Sequence, residues 1–573
     1  MDMNRGYSLD SGRIVLALLV LILCYQVVIP VLMIVWTSFK IARPGEPDFF
    51  DFSLSLANYT RAFSSKDFWA ATWNTLRFAV ASSSVSFVLG TFLAWAVHRT
   101  DTPLAKLVNI LTLGRIIIPG ILITVSWVLL ASPSIGALNH FVEALTGVKR
   151  FFNIYSFWGM VWIHSLEMTP LAYLLLSAAL QSMDPRLEEA SAVAGAGSWP
   201  TLRRVSLPLI LPAVGSAVML LLIYSVENFE VPLLLGGRAG VRVYTTEVYY
   251  NTSRTPTDWG LASAYAMAIL LLCVTLLAVH FRLVRHGERY QTVTGKDYRP
   301  RRIELGAWRY VTCALSLLLV FLITGLPFLV MLYSSFLRRY QAPTAQAFQS
   351  MSLGNYAAIF TEHSYSLVPM WNSTLVGIGS ATAVMLLVAT VSYFVNKTRL
   401  RGRKLLDFLA FIPIAVPSVV LGTAFLWFYL LVPVPVIGSL TIIGLAYITR
   451  YMSVALRFVS SSMLQIHSEL EEAAQVAGGR WWSNFRRIYL PLLRPGIMAG
   501  WFWVMVHAYR ELTIALMLAR SRNRTAAVVI YDLWENGSFP LLSAFGVLIF
   551  GLLLVLVWLG DVIGRRFGVQ EQG

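Results

Sequence analysis

Charge is scarce in this 573-residue chain: Asp, Glu, Lys and Arg make up 13% of it, against 57% hydrophobic residues. A soluble chain carries about 25% charged residues, so a soluble multidomain enzyme, a disordered scaffold and a secreted disulfide protein are excluded. Cysteine is also rare. Cys24, Cys273 and Cys313 all lie in apolar stretches, with no Cys-x-x-Cys spacing and no partnered His, so they read as small buried hydrophobes. No G-x-x-x-x-G-K-[ST] loop, H-E-x-x-H or G-x-S-x-G pattern occurs. The chain therefore binds no ATP through a phosphate loop of its own, and it offers no catalytic residue. The formal net charge of +16 comes from Lys and Arg in short runs between apolar segments. That distribution reads as membrane topology, and no nucleic-acid partner is expected.

What is present is apolar length. Crossing a hydrocarbon core takes ~20 predominantly apolar residues. Such stretches lie near 14–37, 75–98, 107–131, 155–180, 206–226, 260–283, 308–336, 371–396, 405–431, 438–460, 488–509 and 541–563. The expected fold is an all-α integral membrane protein with about 12 transmembrane helices. Gly114, Pro119, Pro413 and Pro417 interrupt two of the spans. The first span is too long for a signal-peptide core and is read as an anchor. Basic residues crowd three connections. They are Arg282 to Arg309 after span six, Lys397 to Lys404 after span eight, and Arg565-Arg566 at the C-terminal end. The positive-inside rule puts these loops and both termini in the cytoplasm, with Arg520, Arg522 and Arg524 as a counter-signal outside.

The most specific feature is a repeat. Residues 187–216 (LEEASAVAGAGSWPTLRRVSLPLILPAVGS) align without a gap on 470–499 (LEEAAQVAGGRWWSNFRRIYLPLLRPGIMA), with about half the positions identical. Asn58-Tyr59 echoes Asn355-Tyr356, Trp73-Asn74 echoes Trp371-Asn372, and Pro119 echoes Pro417. Six spans per half is an even number, so the halves are parallel repeats. Their expected bounds are 1–283 and 306–573, joined by a basic linker at 284–305. Each repeated segment, 184–208 and 467–491, falls between the fourth and fifth spans of its half. Asp184-Pro185 and the Ser468/Glu471 spacing signal helix starts, and Gly195 and Gly478 permit tight turns. A small-residue helix-turn-helix on the cytoplasmic side suits a docking knob, although an amphipathic loop preserved by duplication would look similar.

Each copy also fits E-A-A-x-x-x-G-x9-I-x-L-P, the loop signature of ABC-importer permeases. Glu472, Ala473, Ala474, Gly478, Ile488, Leu490 and Pro491 match it throughout, and the first copy departs at Ser191 and Val205. The chain resembles a binding-protein-dependent permease with both transmembrane halves fused. In its stretches after span five and in span eleven (RELTIALML) it is most similar to ferric-iron permeases. The resemblance implies an inner-membrane permease in a bacterium, with a periplasmic solute-binding protein and two copies of a cytoplasmic ABC ATPase that hold ATP and Mg. It assigns the ATPase contact to Glu189, Ala190, Gly195, Pro208, Glu472, Ala473, Ala474, Gly478 and Pro491. Ferric iron is the first expectation for cargo, with polyamine, thiamine or aminoethylphosphonate as alternatives. An ion-coupled twelve-span carrier is the rival from another class.

Charges inside spans cost about 2.5–3.5 kcal/mol each at a helix centre and mark pathways or partners. Glu167 in span four and Arg450 in span ten occupy repeat-related positions, and an opposite-charge pair there can close across the central axis or be purely structural. Glu227-Asn228 and Arg510-Glu511 are likewise repeat-related; the resemblance places such segments beside the pathway, and a solvated helix end is the alternative. His164 and His507 read as packed or interfacial. Arg115 reads as snorkelling to the surface. No spacing assembles a metal ligand set.

Overall fold

Inside a hydrocarbon layer every backbone N–H and C=O needs a partner within the protein, and long apolar segments meet that need as helices. The computed structural model describes residues 3–44, 46–181, 185–287, 302–361, 367–432, 434–467, 469–470, 473, 476 and 481–566. Among these there is no strand, only an isolated bridge between Thr100 and Ile303. In chain order the first half contains α1 (Gly12–Ser38), α2 (Lys66–His98), α3 (Ala105–Ile117), α4 (Gly120–Ala131), α5 (Ala137–Thr146) and α6 (Phe157–Gln181). It continues with α7 (Pro185–Val193), α8 (Arg203–Glu227) and α9 (Trp259–Val284). The second half contains α10 (Trp308–Ser335), α11 (Val368–Lys397), α12 (Arg403–Ala415), α13 (Ser418–Leu431), α14 (Leu440–Leu464), α15 (Arg494–Arg510) and α16 (Phe539–Gly564).

Two expected spans are not single rods. The stretch 107–131 divides into α3 and α4, bent by 105°, and 405–431 divides into α12 and α13, bent by 110°. Proline causes both breaks. Pro119 and Pro417 lack an N–H, and each drives its preceding residue out of the helical region. Ile118 (ψ 128°) and Val416 (ψ 113°) are accordingly extended. The expected span 488–509 begins late: the chain turns at Leu493, and α15 runs for 17 residues from Arg494.

The echoes between halves correspond to the same hydrogen bonds made twice. Asn58 Nδ2 donates to the carbonyls of Ser38 and Lys40 at the end of α1 (3.1 and 2.8 Å), and Asn355 Nδ2 does so for Ser335 and Leu337 at the end of α10 (2.9 and 2.7 Å). Tyr59 and Tyr356 donate to Ser38 Oγ and Ser335 Oγ at 2.7 and 2.8 Å. These side chains satisfy the orphan carbonyls that every helix end leaves. Asn74 and Asn372 each donate 2.9 Å bonds to an arginine carbonyl, Arg242 and Arg524.

The halves are interlocked. The first helix of each half lies between that half's last helix and the broken helix of the other half: α1 between α9 and α13, α10 between α16 and α4. Gln26 Nε2 donates to the carbonyl of Leu445 (2.6 Å), and the Tyr340 hydroxyl donates to that of Leu129 (2.5 Å). One continuous apolar core results, with Trp427, Phe425 and Phe229 wholly enclosed. Cys273 and Cys313 are buried, Cys24 is half-buried, and all three are free thiols.

Candidate functional site

The two breaks lie beside a cluster of charged side chains enclosed between the halves. Glu167 and Arg450 sit near the middle of the 25-residue helices α6 and α14. Arg450 Nη1 donates to the carbonyl of Val416 (3.1 Å), and its Nη2 donates to Glu227 Oε1 (2.6 Å). Glu227 ends α8, so this ion pair joins the second half to the first. The two side chains are only 15% and 12% exposed. No bond joins Glu167 to Arg450 among the described residues. The pairing considered from the sequence is replaced because α8 delivers Glu227 to the guanidinium first.

Glu167 has other company. Its Oε2 lies 3.4 Å from His164 Nδ1, and His164, fully buried, bonds Ser225 Oγ through Nε2 (3.1 Å). A Cβ on Gly120 would collide with Glu167 Oε1 and Glu230 Oε2, so the two carboxylates converge on the first turn of α4. A helix N-terminus favours negative charge. Glu230 Oε2 is buried and has no hydrogen-bond partner. Both carboxylates are charge neighbours of Arg115 and of Arg510. Arg115 is 1% exposed and donates through Nη1 to the carbonyl of Ile118 (2.9 Å). It does not snorkel, because the break turns it inward. Arg510 donates to the carbonyl of Ile116. In the repeat, Ile118 corresponds to Val416, so an arginine bonds the carbonyl before the proline at both breaks.

The remaining candidates serve locally. Glu511 accepts from Ile514 N (3.0 Å) and the Tyr451 hydroxyl (3.3 Å). Asn228 Oδ1 accepts from Val231 N (3.3 Å), starting the next helical turn. His507 stacks on Trp503 at 3.8 Å and bonds its carbonyl at 2.8 Å through Nδ1, as a packed residue does. Beside this region a cavity of about 330 Å³ opens between α15 and α16, lined by Ile116, Phe502, Trp503, His507, Gly560 and Asp561 among others.

The repeat relates Glu167 to Arg450 and Glu227 to Arg510. The Arg450–Glu227 contact and the Glu167–Arg510 proximity are thus one arrangement with its charges exchanged. Sequence reasoning missed Glu230, whose repeat counterpart is Thr513. Its only signal was its place three residues beyond Glu227.

The described residues of the repeated segments are largely exposed. In the first, α7 ends in a turn at Gly195, whose φ of +81° is a conformation that suits glycine. Ser191 Oγ and Thr201 Oγ1, 2.8 Å apart, tie the two arms together. Glu189, Ala190 and Pro208 are exposed, as is Ala473 in the second copy, while Pro491 is half-buried. Glu472, Ala474 and Gly478 lie outside the described residues, as do Asp184, Ser468 and Glu471. Val193 and Val476, repeat-related, are each 90% exposed.

Residues 86–286 and 374–569 match the family described as binding-protein-dependent transport system inner membrane component, once in each half. A ferric transport system permease protein of Actinobacillus pleuropneumoniae is 25% identical over 484 residues, covering 84% of this chain and 69% of the relative. A probable ABC transporter permease protein of Sinorhizobium fredii is 25% identical over 543 residues, 92% of both chains. A trehalose/maltose transport system permease protein of Thermococcus litoralis is 27% identical over 291 residues, covering 47% of this chain and 92% of the relative.

Proposed function

This chain belongs to the family of binding-protein-dependent transport system inner membrane components, and from that premise we propose that it is the ferric-iron pore of an importer driven by two separate ATPase subunits. It is a multi-pass inner-membrane permease of the ABC-importer type, and the secondary-carrier alternative is set aside by the family match. The observation that carries the pathway is the enclosed cluster at the two breaks. Four carboxylates (Glu167, Glu227, Glu230 and Glu511) face three guanidinium groups there. Unwound backbone at membrane depth is tolerated where it lines a cavity or is buried in protein; among the described residues no group of three His, Cys, Asp or Glu is placed to hold a metal ion, so the cluster is read as pathway lining and the cargo is argued from relatives. The names of several relatives point to ferric iron as that cargo.

Energy enters through the segments 184–208 and 467–491. Val193 and Val476 fit this reading: an apolar side chain 90% exposed at the same place in both repeats is available for a partner to cover. The ATPase subunits hold ATP and Mg, and Glu189, Ala190, Gly195, Pro208, Glu472, Ala473, Ala474, Gly478 and Pro491 form the permease side of the contact. The halves are 1–283 and 306–573, with 284–305 as a cytoplasmic linker and both termini on the same side. A periplasmic binding protein delivers the ion to the opposite face.

Proteoliposomes containing the chain, its ATPase subunits and the binding protein test the cargo directly. Radioactive ferric iron should accumulate with ATP, and Glu230→Gln should lower that uptake at least about tenfold, which is ~1.4 kcal/mol. ATP-driven uptake of polyamine, thiamine or aminoethylphosphonate, with none of iron, would overturn the cargo and leave the importer standing.

A further inference from the structure

The loop between α2 and α3 is bonded to two elements that the sequence does not connect. On one side is α7. Arg99, 6% exposed, donates from Nη2 to both carboxylate oxygens of Glu188 (2.6 and 2.5 Å), and Ser206 Oγ donates to Glu188 Oε1 (2.8 Å). On the other side are the last residues of the 284–305 linker and the first helix of the second half. Ile303 N donates to the carbonyl of Arg99 (2.8 Å), and Asp101 N donates to that of Ile303 (3.2 Å). Asp101 Oδ1 accepts from Leu305 N (3.0 Å), and Thr102 Oγ1 lies 2.9 Å from Thr312 Oγ1 in α10. Thr100 and Thr102 are buried with Arg99. Four residues, 99–102, therefore hold the end of α2, the first repeated segment and the entrance to the second half together.

We propose that the loop 99–102 is a relay that makes α7 and the start of the second half move as one body, with Arg99 and Glu188 as its positioning residues. The inference rests on the reading that 184–208 contacts an ATPase subunit. Both bonds from Arg99 to Glu188 leave the single nitrogen Nη2 and are charge-assisted, which makes them short and strong, while Ser206 holds the same carboxylate from a second direction. Removing one partner strands a largely buried charge, so the joint resists sliding. Lys397, which ends α11 as Arg99 follows α2, donates to the carbonyl of Ile466 (2.7 Å). Glu471, the repeat counterpart of Glu188, lies outside the described residues.

The test uses the complex with its ATPase subunits. Spin labels at Leu187 and Trp308, both exposed, report the separation of α7 from α10 without nucleotide and after trapping with ATP and vanadate. A cysteine at Ala190 reports ATPase contact by cross-linking. The separation should stay constant in the parent, change by several ångströms on trapping in Arg99→Gln and Glu188→Gln, and become constant again in the swap Arg99→Glu/Glu188→Arg. A separation that changes equally in the parent, or stays constant in both single variants, overturns the relay alone. Absence of the Ala190 cross-link in the parent overturns the ATPase contact and the relay with it.

Discussion

Replacing Glu227 with Gln would remove the charge opposite Arg450 and leave it only neutral acceptors, an amide oxygen and the carbonyl of Val416, within an enclosed site. Breaking a buried ion pair from one side costs about 3–5 kcal/mol, because the stranded charge keeps its desolvation penalty. Arg450→Gln should cost a similar amount. The double variant removes both charges and should cost less than the sum of the singles, by at least about 1.5 kcal/mol, the low end measured for close charge pairs. Reversible unfolding in mixed micelles, followed by tryptophan fluorescence, gives the four free energies of the cycle. A parallel cycle with Glu167→Gln and Arg450→Gln should show the smaller coupling, since no bond joins those two. Additivity at Glu227 and Arg450, or stronger coupling at Glu167 and Arg450, would refute the assignment of the pair.

Other substitutions address the break, the knob and the repeat. Gly120→Ala pushes a methyl group into Glu167 and Glu230 and should lower both melting temperature and uptake. Gly114→Ala, with nothing within 4 Å of the added Cβ, should leave the melting temperature unchanged. Val193→Asp or Val476→Asp should weaken ATPase co-purification at least about tenfold, since burying a valine is worth about 1.5–3 kcal/mol, while the permease alone melts normally. Asn58→Ala and Asn355→Ala each leave two carbonyls unpaired and should each destabilise by about 1–3 kcal/mol per lost partner group. Thermal melts of the two variants should agree, and a large difference between them would contradict the equivalence of the two caps.

Much of the fold was legible along the chain because its signals are local. Apolar length determined the helices, and prolines at 119 and 417 marked where two of them break. The gapless match of 187–216 to 470–499 established two parallel halves, and its Glu-Ala-Ala and Gly spacing pointed to the family before any coordinate. Periodicity and length are read from neighbours a few residues apart, so the sequence alone determined them. The partner of Arg450, the inward turn of Arg115 and the convergence of Glu167 and Glu230 were decided only by the tertiary structure. Glu227 stands 223 residues from Arg450, and charge type at repeat-related positions favoured Glu167 instead. The bend of about a right angle at each break sets which side chains face the interior, and the crossing of α1 and α10 into opposite halves sets which charges meet. Those are properties of packing between distant segments, where burying a charge is costly unless the fold supplies a partner.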